Sequence, residues 1–108
     1  MTIAYTESSS DELFEILSHS VRRRVLTVLV RNEEHEAFSP EEFAPGNGPF
    51  DAFLASLHHV HLPKLAEAGF IRWNRERGTV TGGPRYDEVA PLVTLLLTHE
   101  DDLPVDWL

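Results

Sequence analysis

Residues 57 to 81, LHHVHLPKLAEAGFIRWNRERGTVT, set an apolar-striped helix directly ahead of a short two-stranded ribbon, with Ala68-Gly69 as the joint between them. Leu54, Leu57, His58, His61, Leu62 and Leu65 recur at spacings of three and four and make one helical stripe. Ser56, His59, Val60, Pro63 and Glu67 point the other way. Gly69 stands where the helix must end and supplies the positive φ of a C-terminal cap, after which Phe70-Ile71-Arg72-Trp73 reads as a strand. Asn74-Arg75-Glu76-Arg77-Gly78 turns the chain and Thr79-Val80-Thr81 returns. Three arginines, Arg72, Arg75 and Arg77, therefore decorate one short hairpin, the last two at its tip.

The 108 residues are expected to form a single domain, 1–108, with a core over about 11–98 and an acidic tail over 99–108. The chain has no cysteine, which removes disulfides, thiolate metal sites and thiol catalysis together and suits a reducing cytoplasm. Its start, MTIAYTESSSDEL, lacks the basic segment and apolar core of a secretory signal. The longest strongly apolar run, Leu92 to Leu97, falls far short of the roughly 20 residues a bilayer crossing needs, so a cytoplasmic protein without a membrane span is expected.

Charge is the second constraint. Eighteen acidic residues face nine basic ones, of which only Lys64 is a lysine. Acidity of this degree ordinarily argues against nucleic acid, because affinity for phosphates is built from basic groups that release counterions. Distribution matters more than the sum, however. Residues 1–16 carry four acids and no base, 32–51 six acids and no base, and 87–108 again six acids and no base. All nine bases lie within 22–31 and 64–85. An acidic body with a locally basic hairpin is compatible with one DNA-facing edge.

The rest of the chain punctuates itself. Ser9 and Glu12 have capping-box spacing ahead of Leu13, Phe14, Ile16 and Leu17, so a short first helix starts there. Ser18-His19-Ser20 breaks it, and Ser20 is expected to cap a second helix from Val21 to about Arg31, with Val21, Val25, Val28 and Leu29 on one stripe and Arg23, Arg24 and Arg31 outward. Ala37-Phe38 is a candidate short strand beside the hairpin. Ser39-Pro40-Glu41-Glu42 states a third helix start, which Pro45-Gly46-Asn47-Gly48-Pro49 ends after Ala44. A fourth helix is expected from near Asp51 to Ala68, kinked or divided by Pro63, which removes the bond to the carbonyl of His59. A last helix from near Asp87 through about Leu97 carries Leu92, Val93, Leu95, Leu96 and Leu97 and almost no polar face, for which burial on two sides by dimerisation is the simplest cause. The tail ends Asp106-Trp107-Leu108, which either docks its tryptophan or stays loose.

The order helix, helix, short strand, helix, helix, strand, strand, helix is that of an α+β, mainly helical fold: a winged helix-turn-helix with a β-hairpin wing and a C-terminal dimerisation helix. LSHSVRRRVLTVL resembles the second-helix signature of ArsR-type winged helix proteins, and LHHVHLPKLAEAGFI resembles their recognition helix and the approach to the wing. The likeness covers about residues 11–98 and is closest to acidic ArsR-like winged helix domains of halophilic archaea, which suits the scarcity of lysine. That resemblance implies that Ser56, His59 and Val60 lie on the groove-facing side, that Arg75 and Arg77 reach from the wing tip, and that Leu13, Leu17, Leu92 and Leu96 belong to a dimer interface. In molar salt the screening length is only about 3 Å, so an acidic body hardly repels DNA there. Attraction to phosphates weakens equally, and close contacts and groove shape take over.

Ser56, His59, Val60 and Lys64 from the helix and Arg72, Arg75 and Arg77 from the hairpin form the expected DNA-binding set, and Leu13, Leu17, Leu92, Leu95 and Leu96 the expected dimer interface. Val60 and Pro63 place apolar atoms on the groove-facing side, where they suit thymine methyls or a protein partner. His58 and His61 read as hydrogen-bonded core groups rather than a metal pair, since neither cysteine nor a nearby carboxylate accompanies them. Arg22 reads as a structural salt-bridge partner at a helix start, with Arg23 and Arg24 solvated. No glycine-flanked nucleophile or paired carboxylates stand out, so neither catalysis nor a cofactor is expected. The expected function is a homodimeric, DNA-binding transcriptional regulator acting on double-stranded DNA. The alternative is a protein-interaction module on the same scaffold, presenting Phe53, Val60 and Pro63.

Overall fold

The computed structural model describes residues 9–46 and 50–107. The Asn47-Gly48-Pro49 part of the expected break and the first eight residues lie outside the described residues, as does Leu108.

α1 (Ser10–Ile16) opens where the capping spacing placed it: the Ser9 hydroxyl accepts from the Glu12 amide at 3.1 Å, and Asp11 and Glu12 occupy the first turn, where the helix dipole favours acids. α2 (Ser20–Arg31) follows after a tight reversal. Its cap is not Ser20, which is already the first helical residue, but His19, whose Nδ1 accepts from the Val21 amide at 3.1 Å. Val25, Leu26 and Leu29 are buried, with Val21 and Val28 packed at the margin of the core.

The arginines at the head of α2 depart from expectation. Arg23 and Arg24 are half-buried and bonded rather than simply solvated. Arg23 donates to the carbonyl of Leu17 at 2.9 Å and to that of Trp107, and its guanidinium lies 4.6 Å from the centre of the Trp107 ring, which settles the tail in its docked form. Arg24 donates to the carbonyls of Phe43 and Ala44. The physical reason is common to both. Short helices leave their last carbonyls without intrahelical donors, and a guanidinium fork offers several at once. Arg31 stays exposed and pairs with Glu100 at 2.7 Å.

The expected third helix is a single 3-10 turn, Pro40–Phe43, in which the Glu42 carboxylate accepts from the amide of Ser39 at 2.8 Å and its hydroxyl at 3.2 Å. It stops at Ala44, whose extended backbone is what a residue preceding proline prefers. The fourth helical segment starts one residue ahead of Asp51 and has three parts: α3 (Phe50–Ser56), a wide π turn (Leu57–His61) and α4 (Leu62–Glu67). Ser56 and Leu62 at the joints keep helical backbone angles, so 50–67 runs as one rod. Pro63 divides it without a break. The amide of Leu62 reaches back five residues to Leu57, and the widened turn makes room for a proline ring that would otherwise press on the carbonyl four residues earlier.

Gly69, at φ 88°, turns the chain into β1 (Ile71–Asn74), which pairs antiparallel with β2 (Thr79–Gly82) in the register Ile71↔Gly82, Arg72↔Thr81, Trp73↔Val80 and Asn74↔Thr79. Phe38 adds a one-residue bridge on the far side of β2, donating to the Val80 carbonyl at 2.9 Å and accepting from its amide at 2.7 Å. α5 (Tyr86–Thr98) carries Pro91 in its second turn, and a 3-10 turn (Glu100–Asp102) follows. The architecture is thus α+β, mostly helical, with a two-stranded antiparallel hairpin. Among the described residues no helix is long and apolar enough to cross a membrane.

One core, including Leu26, Phe43, Leu57, Leu65, Phe70 and Val89, joins the helices to the hairpin. Arg85 staples its far end. It grips both oxygens of Glu12 on α1 at 2.8 and 3.1 Å, donates to the carbonyl of Ala68 at 2.9 Å, and lies over the Phe70 ring. Gly83 lets α5 approach the hairpin, because a β-carbon there would stand 2.5 Å from the carbonyl oxygen of Gly69 and 2.7 Å from backbone atoms of Ile71. Gly83→Ala should therefore destabilise the fold by about 3 kcal/mol in urea unfolding, since backbone atoms cannot rotate aside. Gly46→Ala, where a β-carbon meets nothing within 4 Å, serves as the neutral control.

Candidate nucleic-acid interface

The rod 50–67 shows one side to solvent. Ala52, Ala55, His59, Val60 and Glu67 are exposed, Ser56, Pro63 and Lys64 half-buried, and Leu57, His61, Leu62 and Leu65 buried. The π turn sets this division. A turn that holds more residues than an α-helical one lets His61 and Leu62 both stay inward while His59 and Val60 remain outward. Val60 is 51% exposed, a large value for a β-branched apolar side chain in the middle of a helix.

The inward side is polar at two points. His61 is 3% exposed and its Nδ1 lies 3.1 Å from Nη1 of Arg22. A guanidinium only donates, so Nδ1 must accept and the proton sits on Nε2. Burial first, then the neighbouring His19 ring at 4.2 Å and the Arg22 charge, hold His61 down to a pKa of about 4. His58 donates from Nδ1 to the carbonyl of Leu54 at 2.9 Å. Both histidines thus have protein partners, as core groups should. Among the described residues, no group of three or more His, Asp or Glu is placed to hold a metal.

The hairpin carries the rest of the surface. Along β1, Ile71 and Trp73 turn inward while Arg72 and Asn74 are exposed, the alternation a half-buried strand requires. Trp73 stands 5.7 Å from the His58 ring on one side and 4.4 Å from the Arg75 guanidinium on the other. A row of contacts, His58 to Trp73 to Arg75, therefore runs from the rod to the hairpin tip. Asn74 Oδ1 accepts from the Arg77 amide at 3.0 Å and closes the turn, with Gly78 at φ 67°. Trp73 and His58 were not among the residues singled out for this surface, although the period-two alternation of β1 is the signal that finds the tryptophan.

Lys64, whose side chain stays 40% exposed, has its Nζ 3.2 Å from the Glu15 carboxylate, an exposed pair of the weak kind. Arg22 is buried and bonded to the carbonyls of Ile16 and Glu15; burial lowers its pKa, an effect the Glu15 carboxylate at 3.9 Å opposes. Arg23, Arg24, Arg31 and Arg85 have the partners given above. Among the described residues, the basic side chains with neither a carboxylate nor a hydrogen-bond acceptor are Arg72, Arg75 and Arg77, all on the hairpin.

The leucines divide likewise. Leu17 is buried in the chain's own core, which removes it from any surface open to a second copy. Leu13, Leu92 and Leu96 are half-buried, packed at the core margin, whereas Leu95 is 56% and Phe14 62% exposed. α5 is therefore covered on one side by its own chain, through Val89, Ala90 and Val93, and uncovered at Leu95. Phe53 packs at the core margin rather than standing outward.

Residues 50–81, from the start of α3 to Thr81 of β2, match a family described as Domain of unknown function (DUF7344). No curated protein and no solved structure matches the chain.

The His61 environment has a consequence for acid stability. Unfolded, its imidazole takes up a proton as pH falls through about 6.5, whereas in the folded chain it stays neutral down to about 4. The unfolded state thus binds the extra proton in this window, and stability should fall as pH drops from 6.5 toward 4. In denaturant titrations across that range, His61→Gln, which keeps an acceptor for Arg22 and removes the titration, should show a shallower pH slope than the parent.

Proposed function

We propose that the chain is a winged helix-turn-helix protein that binds duplex DNA, with the rod 50–67 in the major groove and the β1–β2 hairpin as a wing on the adjoining backbone. Its role is transcriptional regulation in the cytoplasm, as a homodimer, without a cofactor or catalytic step. The observation that carries this reading is the division among the nine basic residues: six are tied to acceptors of the fold, and the three with charge to offer a ligand share one hairpin beside an exposed helix face. Arg75 packs over Trp73, but Arg77 at the same tip has no side-chain partner among the described residues, and phosphate oxygens are what guanidinium forks in that position suit. At low salt the acidic body reinforces the choice of edge, since it repels a polyanion elsewhere; in molar salt that repulsion is screened.

For the protein-interaction alternative, Val60 is exposed while Phe53 and Pro63 are half-buried. For the dimer, the exposed Leu95 and Phe14 are the apolar groups that a second copy would cover.

Two measurements test these readings. Changing Arg75 and Arg77 together to Ala should weaken duplex binding to a similar extent on all sequences and reduce the slope of log affinity against log salt by about 2, whereas Lys64→Ala should leave both nearly unchanged. Equal retention of parent and double variant on DNA in molar potassium chloride would remove the wing from the interface. Leu95→Glu, at an exposed site that spares the core, should halve the mass seen by light scattering; an unchanged mass would exclude this face of α5.

A further inference from the structure

The outward face of the rod has an unusual chemistry for a reader of base edges. At its centre stand Ala52, Ala55 and Val60, which offer carbon alone, and the polar groups beside them are the Ser56 hydroxyl and the His59 imidazole. No Asn, Gln or Arg lies on it, and these are the side chains that take purine edges in bidentate fashion. The one cation on the rod, Lys64, is held 3.2 Å from Glu15. Carboxylates bracket the face, with exposed Asp51 at one end and exposed Glu67 at the other, so phosphates are not attracted along it.

Resting on the DNA-binding reading above, we infer that this helix selects A·T pairs by packing Val60, flanked by Ala52 and Ala55, against the C5 methyl groups of thymine. The major groove presents one apolar group among its donors and acceptors, and that group is the thymine methyl. Residues 52 to 60 cover about 12 Å of helix, or three to four base steps, so more than one methyl lies within reach of the face. Burying the half-exposed valine removes apolar surface from water, a contribution that salt does not screen. For a chain whose phosphate contacts come from three arginines, apolar readout is the form of specificity that survives concentrated electrolyte.

The test uses the whole chain and duplexes recovered by selection from a random-sequence library in molar potassium chloride. Recovered duplexes are resynthesised with deoxyuridine in place of thymidine, which deletes the methyl and keeps every hydrogen bond of the pair. The parent protein should bind the uracil form about fourfold more weakly for each contacted methyl. Val60→Ser, at a site exposed enough to tolerate it, should lose about fourfold of that preference, the share of one methyl, while His59→Ala should keep it whole. Equal affinity of the parent for the two forms would overturn the thymine reading and leave DNA binding standing. Undiminished discrimination by the Val60→Ser variant would overturn the role of Val60. Failure to recover any duplex would remove DNA binding itself, and the inference with it.

Discussion

A single buried guanidinium holds the arrangement together. Arg22, at the head of α2, donates to the carbonyl of Ile16 at 2.7 Å, to that of Glu15 at 3.0 Å and to Nδ1 of His61 at 3.1 Å. One side chain thus closes the C-terminal end of α1, starts α2, and reaches the middle of the rod 50–67. Burying a charge is costly unless each donor is satisfied, and the geometry that satisfies this one needs His61 turned inward and neutral. The π turn keeps His61 there together with Leu62, and the same turn leaves His59 and Val60 facing solvent. Which residues the rod displays therefore follows from a contact on its opposite side.

Arginine serves two purposes in this chain, and the separation between them is spatial. At the ends of segments it closes exposed carbonyls: of three residues in a row, Arg22 and Arg23 reach the end of α1, Arg23 also the tail at Trp107, and Arg24 the end of the 3-10 turn, because successive helical positions diverge by about 100°. At the hairpin the same side chain has no carbonyl to close. A domain with twice as many acids as bases can match most of its cations internally, and here the unmatched ones fall on the hairpin.

How far the sequence discloses this differs from element to element. The histidine pair was legible, because spacing alone placed His58 and His61 on the apolar stripe and a buried imidazole must find a partner. The hairpin was legible from Gly69, Gly78 and the β-branched return strand, and Phe38 as its neighbour from an isolated apolar pair between polar runs. Arg23 and Arg24 were not, since a run of charges at a helix start looks the same whether it meets solvent or the bare carbonyls of segments distant in the chain. Pro63 announced an interruption without its form; whether a helix kinks or widens at a proline depends on what the turn packs against, here His61 against Arg22. The cap of α2 moved from Ser20 to His19 because a ring nitrogen accepts as well as a hydroxyl when the backbone brings it near. For the candidate site, the exposure of the hairpin arginines was legible from their position, but the pairing of Lys64 with Glu15 of α1 was not, the two lying forty-nine residues apart in sequence and 3.2 Å apart in space.

The hairpin's rigidity bears on how such a surface works where long-range attraction is absent. With a screening length of about 3 Å in molar salt, a flexible arginine-bearing loop gains little before contact and loses conformational freedom on reaching it. This hairpin is held by contacts of its own. Its far strand is bonded to Phe38, its turn is closed by Asn74, and Trp73 packs between His58 of the rod and the Arg75 guanidinium. The spacing between the exposed helix face and the tip is thereby fixed by the same row of contacts that shields the tryptophan. Arg75 gives up freedom to hold that row, whereas Arg72 and Arg77 remain exposed on either side of it. On the proposed reading, a surface held in this way would meet a duplex through fit over the last few ångströms, the range that screening in molar salt leaves open.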